Sequence, residues 1–142
     1  MSGSAPAWEI HQALARLAHL ADDGEIGEYL AMFTDDAVWE TPEVPATGTK
    51  ADLRTGRADI GVGVAARRAS GVQGPGSATR HAITTIEVLP GADDGTADSV
   101  SYFAFYRSTT TEPALATMGR YDDTWRLTAG GWKLAYRRIT LG

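Results

Sequence analysis

The chain has 142 residues, no cysteine, a formal net charge of −5 and a hydrophobic fraction of 43%. That length suits one domain burying roughly two-thirds of its unfolded surface, and that composition suits a packed globule, not a disordered tail. Disulfide frameworks, thiolate metal sites and cysteine nucleophiles are excluded, and basic residues scattered singly or in the pairs Arg67-Arg68 and Arg137-Arg138 form no footprint for nucleic acid.

In chain order, Ile10, Leu14, Leu17 and Ala21 recur at spacings of three and four, which predicts an amphipathic helix over Trp8 to Ala21. Asp22-Asp23-Gly24 breaks it, glycine being a common helix stop. Glu25 opens a second, short helix with the stripe Ile26, Tyr29, Leu30 and Phe33, ended by Thr34-Asp35-Asp36. Ala37 to Thr41 is rich in strand formers and stops at Pro42. The stretch 43–56 reads as a loop with at most a short strand. A third helix follows over Arg57 to Ser70, weakened by Gly61 and Gly63 at about 1 kcal/mol each, and then a loop from Gly71 to Ser77.

From Thr79 the period changes to two. Strands are predicted at Thr79–Leu89, Asp98–Ser108, Leu115–Leu127 and Trp132–Leu141, with turn signals at Pro90 to Gly95, Thr109 to Pro113 and Ala129-Gly130-Gly131. Helices first and a strand meander after them is an α+β pattern, with helices on one face of an antiparallel sheet. Long strands curl, so the expectation is a cone-shaped curved antiparallel sheet closed by three helices of the N-terminal half around a pocket. The whole chain, 1–142, reads as one domain without internal repeats.

Several signals are set aside. Gly61 and Gly63 belong to no phosphate-binding motif, Asp93, Asp94 and Asp98 lack EF-hand spacing, and His11 and His19 are eight residues apart on one helix, too far for a shared ion. No cofactor or metal is expected, and Ser2, Ser4, Ser70 and Ser77 sit in no nucleophile elbow. No run approaches about 18 apolar residues, so no membrane span is expected. Met1 to Ala7 lacks the basic start and apolar run of a signal peptide. A cytoplasmic protein follows as the expectation.

His81 and the acidic helix end Asp22-Asp23 remain. Taken alone, a histidine at a strand start is more often a surface or hydrogen-bonded residue than a catalyst, and Asp22 is a polar residue at a helix end. Composition does not show whether the two meet.

The ordered words of the chain resemble the nuclear-transport-factor-like superfamily in its SnoaL-like branch. They are Leu20-Ala21-Asp22-Asp23-Gly24-Glu25, Phe33-Thr34-Asp35-Asp36-Ala37-Val38-Trp39, Gly56-Arg57-Ala58-Asp59-Ile60, Thr79-Arg80-His81, Gly119-Arg120-Tyr121-Asp122-Asp123, and Gly131-Trp132-Lys133-Leu134 followed by Arg137-Arg138. The resemblance runs from about residue 8 to 141. Its members include polyketide cyclase relatives, enzymes of other kinds, subunits and plain binders, so it speaks for fold more than activity.

Within that superfamily, scytalone dehydratase and hexachlorocyclohexane dehydrochlorinase carry an Asp at the end of the first helix and a His at the start of the first long strand. The resemblance places Asp22 and His81 in those positions. It gives Trp39 and Arg137 the places of pocket residues in the dehydrochlorinase, and Tyr121 the place of a pocket asparagine in the dehydratase. Leu17 and Ala21 depart from it, standing where the relatives have a lysine and a tyrosine. Helical spacing directs Asp22 toward the sheet and Asp23 toward solvent. Tyr29, Trp39, Tyr102 and Tyr121 are the candidates for lining the cavity, while Trp8, Phe33, Phe103, Phe105 and Trp132 are expected in the core.

A neutral imidazole accepts a proton at physiological pH, and a carboxylate on its other nitrogen fixes the tautomer and stabilises the imidazolium. An arginine nearby would hold a developing oxyanion, carboxylate or leaving group. The resemblance thus implies a cofactor-free lyase, isomerase or cyclase of the dehydratase kind, acting on a small hydrophobic cyclic molecule with His81, Asp22 and Arg137 as its machinery. The alternative is a binding or assembly module of the same fold, like the small subunits of ring-hydroxylating dioxygenases. Three helices on one face leave apolar strand residues on the other, so a homodimer through the convex face is expected.

Overall fold

A computed structural model describes residues 5–142. Residues 1–4, with Ser2, Ser4 and most of the signal-peptide reading, lie outside the described residues. Helix α1 runs over Ala5–Asp23, two residues beyond its expected end. Ile10, Leu14, Leu17, Leu20 and Ala21 are buried on its inner stripe. Gly24 closes it, its N–H donating to the Leu20 carbonyl at 3.0 Å. Trp8, expected in the core, is 67% exposed: it stands two residues, or about 200° of helix, from Ile10 and so points the opposite way.

Helix α2 is a single turn, Ile26–Leu30. Phe33, expected on its stripe, instead opens strand β1, Phe33–Thr41. Four residues from Tyr29 fits a helix, but Phe33 pairs with Leu134 a hundred residues later, and that long-range pairing overrides the local period. Strand β2, Asp52–Thr55, is the short strand allowed for in the 43–56 stretch, and it pairs antiparallel with β1. Helix α3 spans Arg57–Ala69. Its Gly61 has a packing reason, since a Cβ there would lie 2.9 Å from Leu30 Cδ1 of α2.

Strands β3 (Arg80–Pro90), β4 (Thr96–Arg107), β5 (Ala114–Thr128) and β6 (Gly131–Leu141) form the meander. The sheet order is β2-β1-β6-β5-β4-β3. Every pair is antiparallel except β1–β6, which is parallel, so the expected antiparallel sheet is a mixed one. The chain lays down β1, turns back through β2, crosses over with α3, and returns as β6 beside β1 only after the whole meander.

Register shifts between Thr84 and Glu87, Phe105 and Tyr106, and Thr124 and Trp125 bend the long strands. The result is an α+β fold with a curved, unclosed sheet. Across its inner face Ala97, Trp125, Leu134 and Phe33 sit side by side on four strands, all buried. Trp125 Nε1 donates to Ser99 Oγ at 2.9 Å, which satisfies the indole inside the core. That end of the sheet is filled; the other end, under α1, is left hollow. Among the described residues no helix is long and apolar enough to cross a membrane.

Candidate active site

The hollow is a cavity of about 230 Å³ between α1, α3 and the inner face of the sheet. At ~30 Å³ per liquid water it has room for about eight waters, or on the order of a dozen non-hydrogen atoms. Leu14, Leu17 and Ala21 of α1 and Ile83, Phe103 and Phe105 of the sheet give it apolar walls. Leu17 and Ala21, the two departures from the relatives, thus make this part of the wall apolar.

His81 is the second residue of β3 and its ring lies in the cavity wall, 14% exposed. Asp22, in the last turn of α1, is 4% exposed and turned toward it, whereas Asp23 points outward. One Asp22 oxygen lies 2.7 Å from His81 Nδ1, and the other accepts the His81 backbone N–H at 3.1 Å. A carboxylate only accepts, so Nδ1 carries the hydrogen, and in the neutral imidazole Nε2 then has the free lone pair. The Phe105 ring, 4.6 Å away centroid to centroid, packs against the imidazole.

A helix C-terminus is the wrong place for carboxylates, because the carbonyl ends there are already negative. Asp22 and Asp23 both stand at one, with no basic residue in the last turn of α1. The compensation arrives from elsewhere in the chain. Arg68 of α3 donates to the Gly24 carbonyl at 2.6 Å and to the Leu20 carbonyl at 3.0 Å, capping the helix end. Gly74, at φ +96°, lets its loop pass against this side chain, where a Cβ would meet Arg68 at 3.0 Å. Arg80 pairs with Asp23 on the surface at 3.0 Å.

Arg137 of β6 lies in the cavity wall, but not as a free cation. It holds Asp123 of β5 with two hydrogen bonds, Nε to Oδ1 at 2.8 Å and Nη2 to Oδ2 at 2.9 Å, both side chains being buried. Desolvation works against the guanidinium, but the charge and hydrogen bonds of Asp123 outweigh it and raise the Arg137 pKa. Its guanidinium carbon sits 3.7 Å from the Tyr121 ring centroid and 5.9 Å from that of Trp39. The pair uses two of the five guanidinium N–H donors, and Nη1 has no hydrogen-bond partner among the described residues.

Tyr29, Trp39 and Tyr121 all line the cavity and are nearly buried. Burial raises both phenol pKa values, opposed by the nearby Arg137 and Arg67. Tyr102 is a correction: it is 43% exposed on the outer face, opposite Arg120. Successive strand residues alternate sides, so Phe103 is buried in the core as expected, and both it and Phe105, packed against that core, also line the cavity. Asp123, Arg67 and Arg68 were not anticipated. Alternation from Tyr121 would have brought Asp123 inside; nothing local marks the two arginines.

A curved sheet closed by helices around a cavity, with a His–Asp pair in its wall, defines a protein of the nuclear-transport-factor-like fold. The chain belongs to the SnoaL-like domain family, whose model matches residues 5–138. Among solved structures it is similar to a Catenulispora acidiphila protein in complex with S-DNPA, at 22% identity over 97% of this chain and 94% of that one, TM-score 0.77. It is similar to an NTF2-like protein with a cystatin-like fold from Novosphingobium aromaticivorans, at 19% identity over 95% and 80%, TM-score 0.75. A third is the beta subunit assigned to an aromatic-ring-hydroxylating dioxygenase of the same organism, at 16% identity over 97% and 90%, TM-score 0.75. At such identities the likeness is one of fold. No curated protein matches the chain in sequence.

Proposed function

We propose that the protein catalyses a cofactor-free proton transfer on a small hydrophobic cyclic molecule, leading to elimination, isomerisation or ring closure. The observation that carries this reading is the double grip of Asp22 on the His81 ring and backbone, which leaves Nε2 free in the wall of an apolar cavity. In a dehydration, Nε2 takes the proton from a carbon next to a carbonyl, and the C–H electron pair passes into an enolate. Collapse of the enolate forms the C=C bond and expels the β-hydroxyl, which leaves as water with the proton returned by the imidazolium. Asp22 stabilises the imidazolium between those steps. The Nη1 donor of Arg137 and the Tyr29 and Tyr121 hydroxyls are the available partners for the enolate oxygen.

The test is loss of water from cyclic β-hydroxy ketones. The wild type is expected to dehydrate one of them, with His81→Ala slower by roughly 10²–10⁴-fold and Asp22→Asn also impaired. An equal rate in His81→Ala removes the assignment.

A binding or assembly role is the second reading, favoured by the full neutralisation of Arg137 by Asp123 and by the likeness to the dioxygenase beta subunit. In that case the substitutions change affinity only. We also propose a homodimer through the outer face of the sheet, supported by exposed Tyr102, Tyr106 and Met118 on the central strands. Light scattering is expected to give twice the 15.1 kDa chain mass; a monomer at micromolar concentration contradicts it.

A further inference from the structure

The proton transfer leaves one charged side chain of the cavity wall unused. Arg67 lies on α3, half-buried in the cavity wall. Its Nε donates to Gln73 Oε1 at 2.7 Å, and among the described residues no carboxylate lies within ion-pair distance of it. The neighbouring cations are matched: Arg54 by Asp52 at 3.0 Å and Asp59 at 3.5 Å, Arg137 by Asp123. Asp52 is the carboxylate that reaches the wall, and Arg54 holds it. What stands beside Arg67 is another cation, since a Cβ on Gly63 would lie 3.3 Å from Arg67 Nη1 and 3.4 Å from Arg54 Nε.

Arg67 also shares an aromatic ring with Arg137. Its guanidinium carbon is 5.4 Å from the Trp39 ring centroid, against 5.9 Å for that of Arg137. Both charges act on the Tyr29 and Tyr121 phenols, so the five side chains occupy one enclosure. A guanidinium has five donors in a fixed fork that matches a carboxylate. Here one is used, by Gln73, and the half-buried side chain lies in the cavity wall, where a charge interaction is screened less than on an open surface. One uncompensated cation matches one negative charge, and a small apolar cavity suits a carboxylate better than a phosphate.

We propose that the molecule bound in this cavity carries a carboxylate, held by Arg67 beside Trp39 and away from His81. Trp39 on β1 and His81 on β3 are four strand intervals apart, about 19 Å along the sheet before its curl brings them closer. The acid group is therefore held on the β1 side of the cavity and the reacting carbon on the β3 side, and Arg67 is a specificity residue. The proposal rests on the proton-transfer reading only for where that carbon lies.

The test is calorimetric titration with naphthalene-2-carboxylate and its neutral counterpart naphthalene-2-carboxamide. Wild type is expected to bind the carboxylate roughly tenfold or more tightly than the amide, the factor a charge-assisted hydrogen bond supplies. Arg67→Gln should bring the two within about twofold of each other with the amide affinity unchanged, while Arg67→Lys keeps part of the preference and shows that the loss is one of charge. His81→Ala should retain the preference of the wild type. Equal binding of the two probes by wild type, binding of neither, or a preference that survives Arg67→Gln overturns the proposal. A carboxylate preference without turnover on any substrate refutes the proton transfer and leaves this site standing; turnover dependent on His81 without the preference does the reverse.

Discussion

Two buried side-chain pairs share the cavity wall, and they differ in what each leaves free. The Asp22–His81 pair uses one ring nitrogen and leaves the other without a partner among the described residues. The Asp123–Arg137 pair uses both carboxylate oxygens and two of three guanidinium nitrogens, leaving a donor. Burying that second pair has a desolvation cost that attraction only partly repays. Desolvation pushes the Asp123 carboxyl above its ordinary value while Arg137 pulls it back. Asp123→Ala, stranding the cation, is therefore expected to lose about 3–5 kcal/mol of stability in urea denaturation, whereas Asp123→Leu with Arg137→Met should lie much nearer wild type. Additive losses in that cycle would contradict the pairing. At this scale the sequence was partly legible: resemblance placed Asp22, His81, Trp39, Tyr121 and Arg137 together. It missed Asp123, because Arg120-Tyr121-Asp122-Asp123 reads as a solvated charge cluster until strand parity puts Tyr121 and Asp123 on one face. The same parity separates Tyr102 from Phe103.

Among the elements, α1 matters most, since its last turn carries Asp22 while its own dipole opposes a carboxylate there. Arg68 and the loop at Gly74 hold that end in place from α3. Arg68→Ala is expected to cost about 1.5–3 kcal/mol, the range for hydrogen bonds to a charged group. It should also speed hydrogen exchange of the Asp23 and Gly24 amides, with Arg68→Lys restoring part of both. Unchanged exchange there would show that the helix end holds itself. The four long strands and α3 were legible to within two residues because turn residues and a period of two mark them. The start of β1 was not, since Phe33 satisfies a helical spacing and a strand equally and only its partner on β6 decides. The parallel β1–β6 pairing has no local signal at all, being set by where a crossover of some ninety residues returns.

On the scale of the whole molecule, the cavity couples ionisation to folding. Burial raises the Tyr29 and Tyr121 phenols above the ordinary 10.0, opposed in part by Arg137. A raised folded-state pKa means stability fully present below pH 10 and lost as the pH climbs above it, because the unfolded chain then ionises first. Tyrosinate absorbance followed with circular dichroism should show these two phenols ionising only as the fold is lost; all five tyrosines titrating near pH 10 with the fold intact would contradict the enclosure. The same cavity sets the imidazole of His81 in a largely apolar wall, the setting the proposed cofactor-free proton transfer calls for. That transfer is the central claim, and exchange of carbon-bound hydrogen reads it without knowledge of the final product. Cyclic ketones are incubated with the protein in heavy water, and deuterium at the carbon next to the carbonyl is followed by NMR. The account predicts incorporation by wild type that falls to the uncatalysed rate in His81→Ala with the fold retained. Incorporation undiminished in His81→Ala would contradict it.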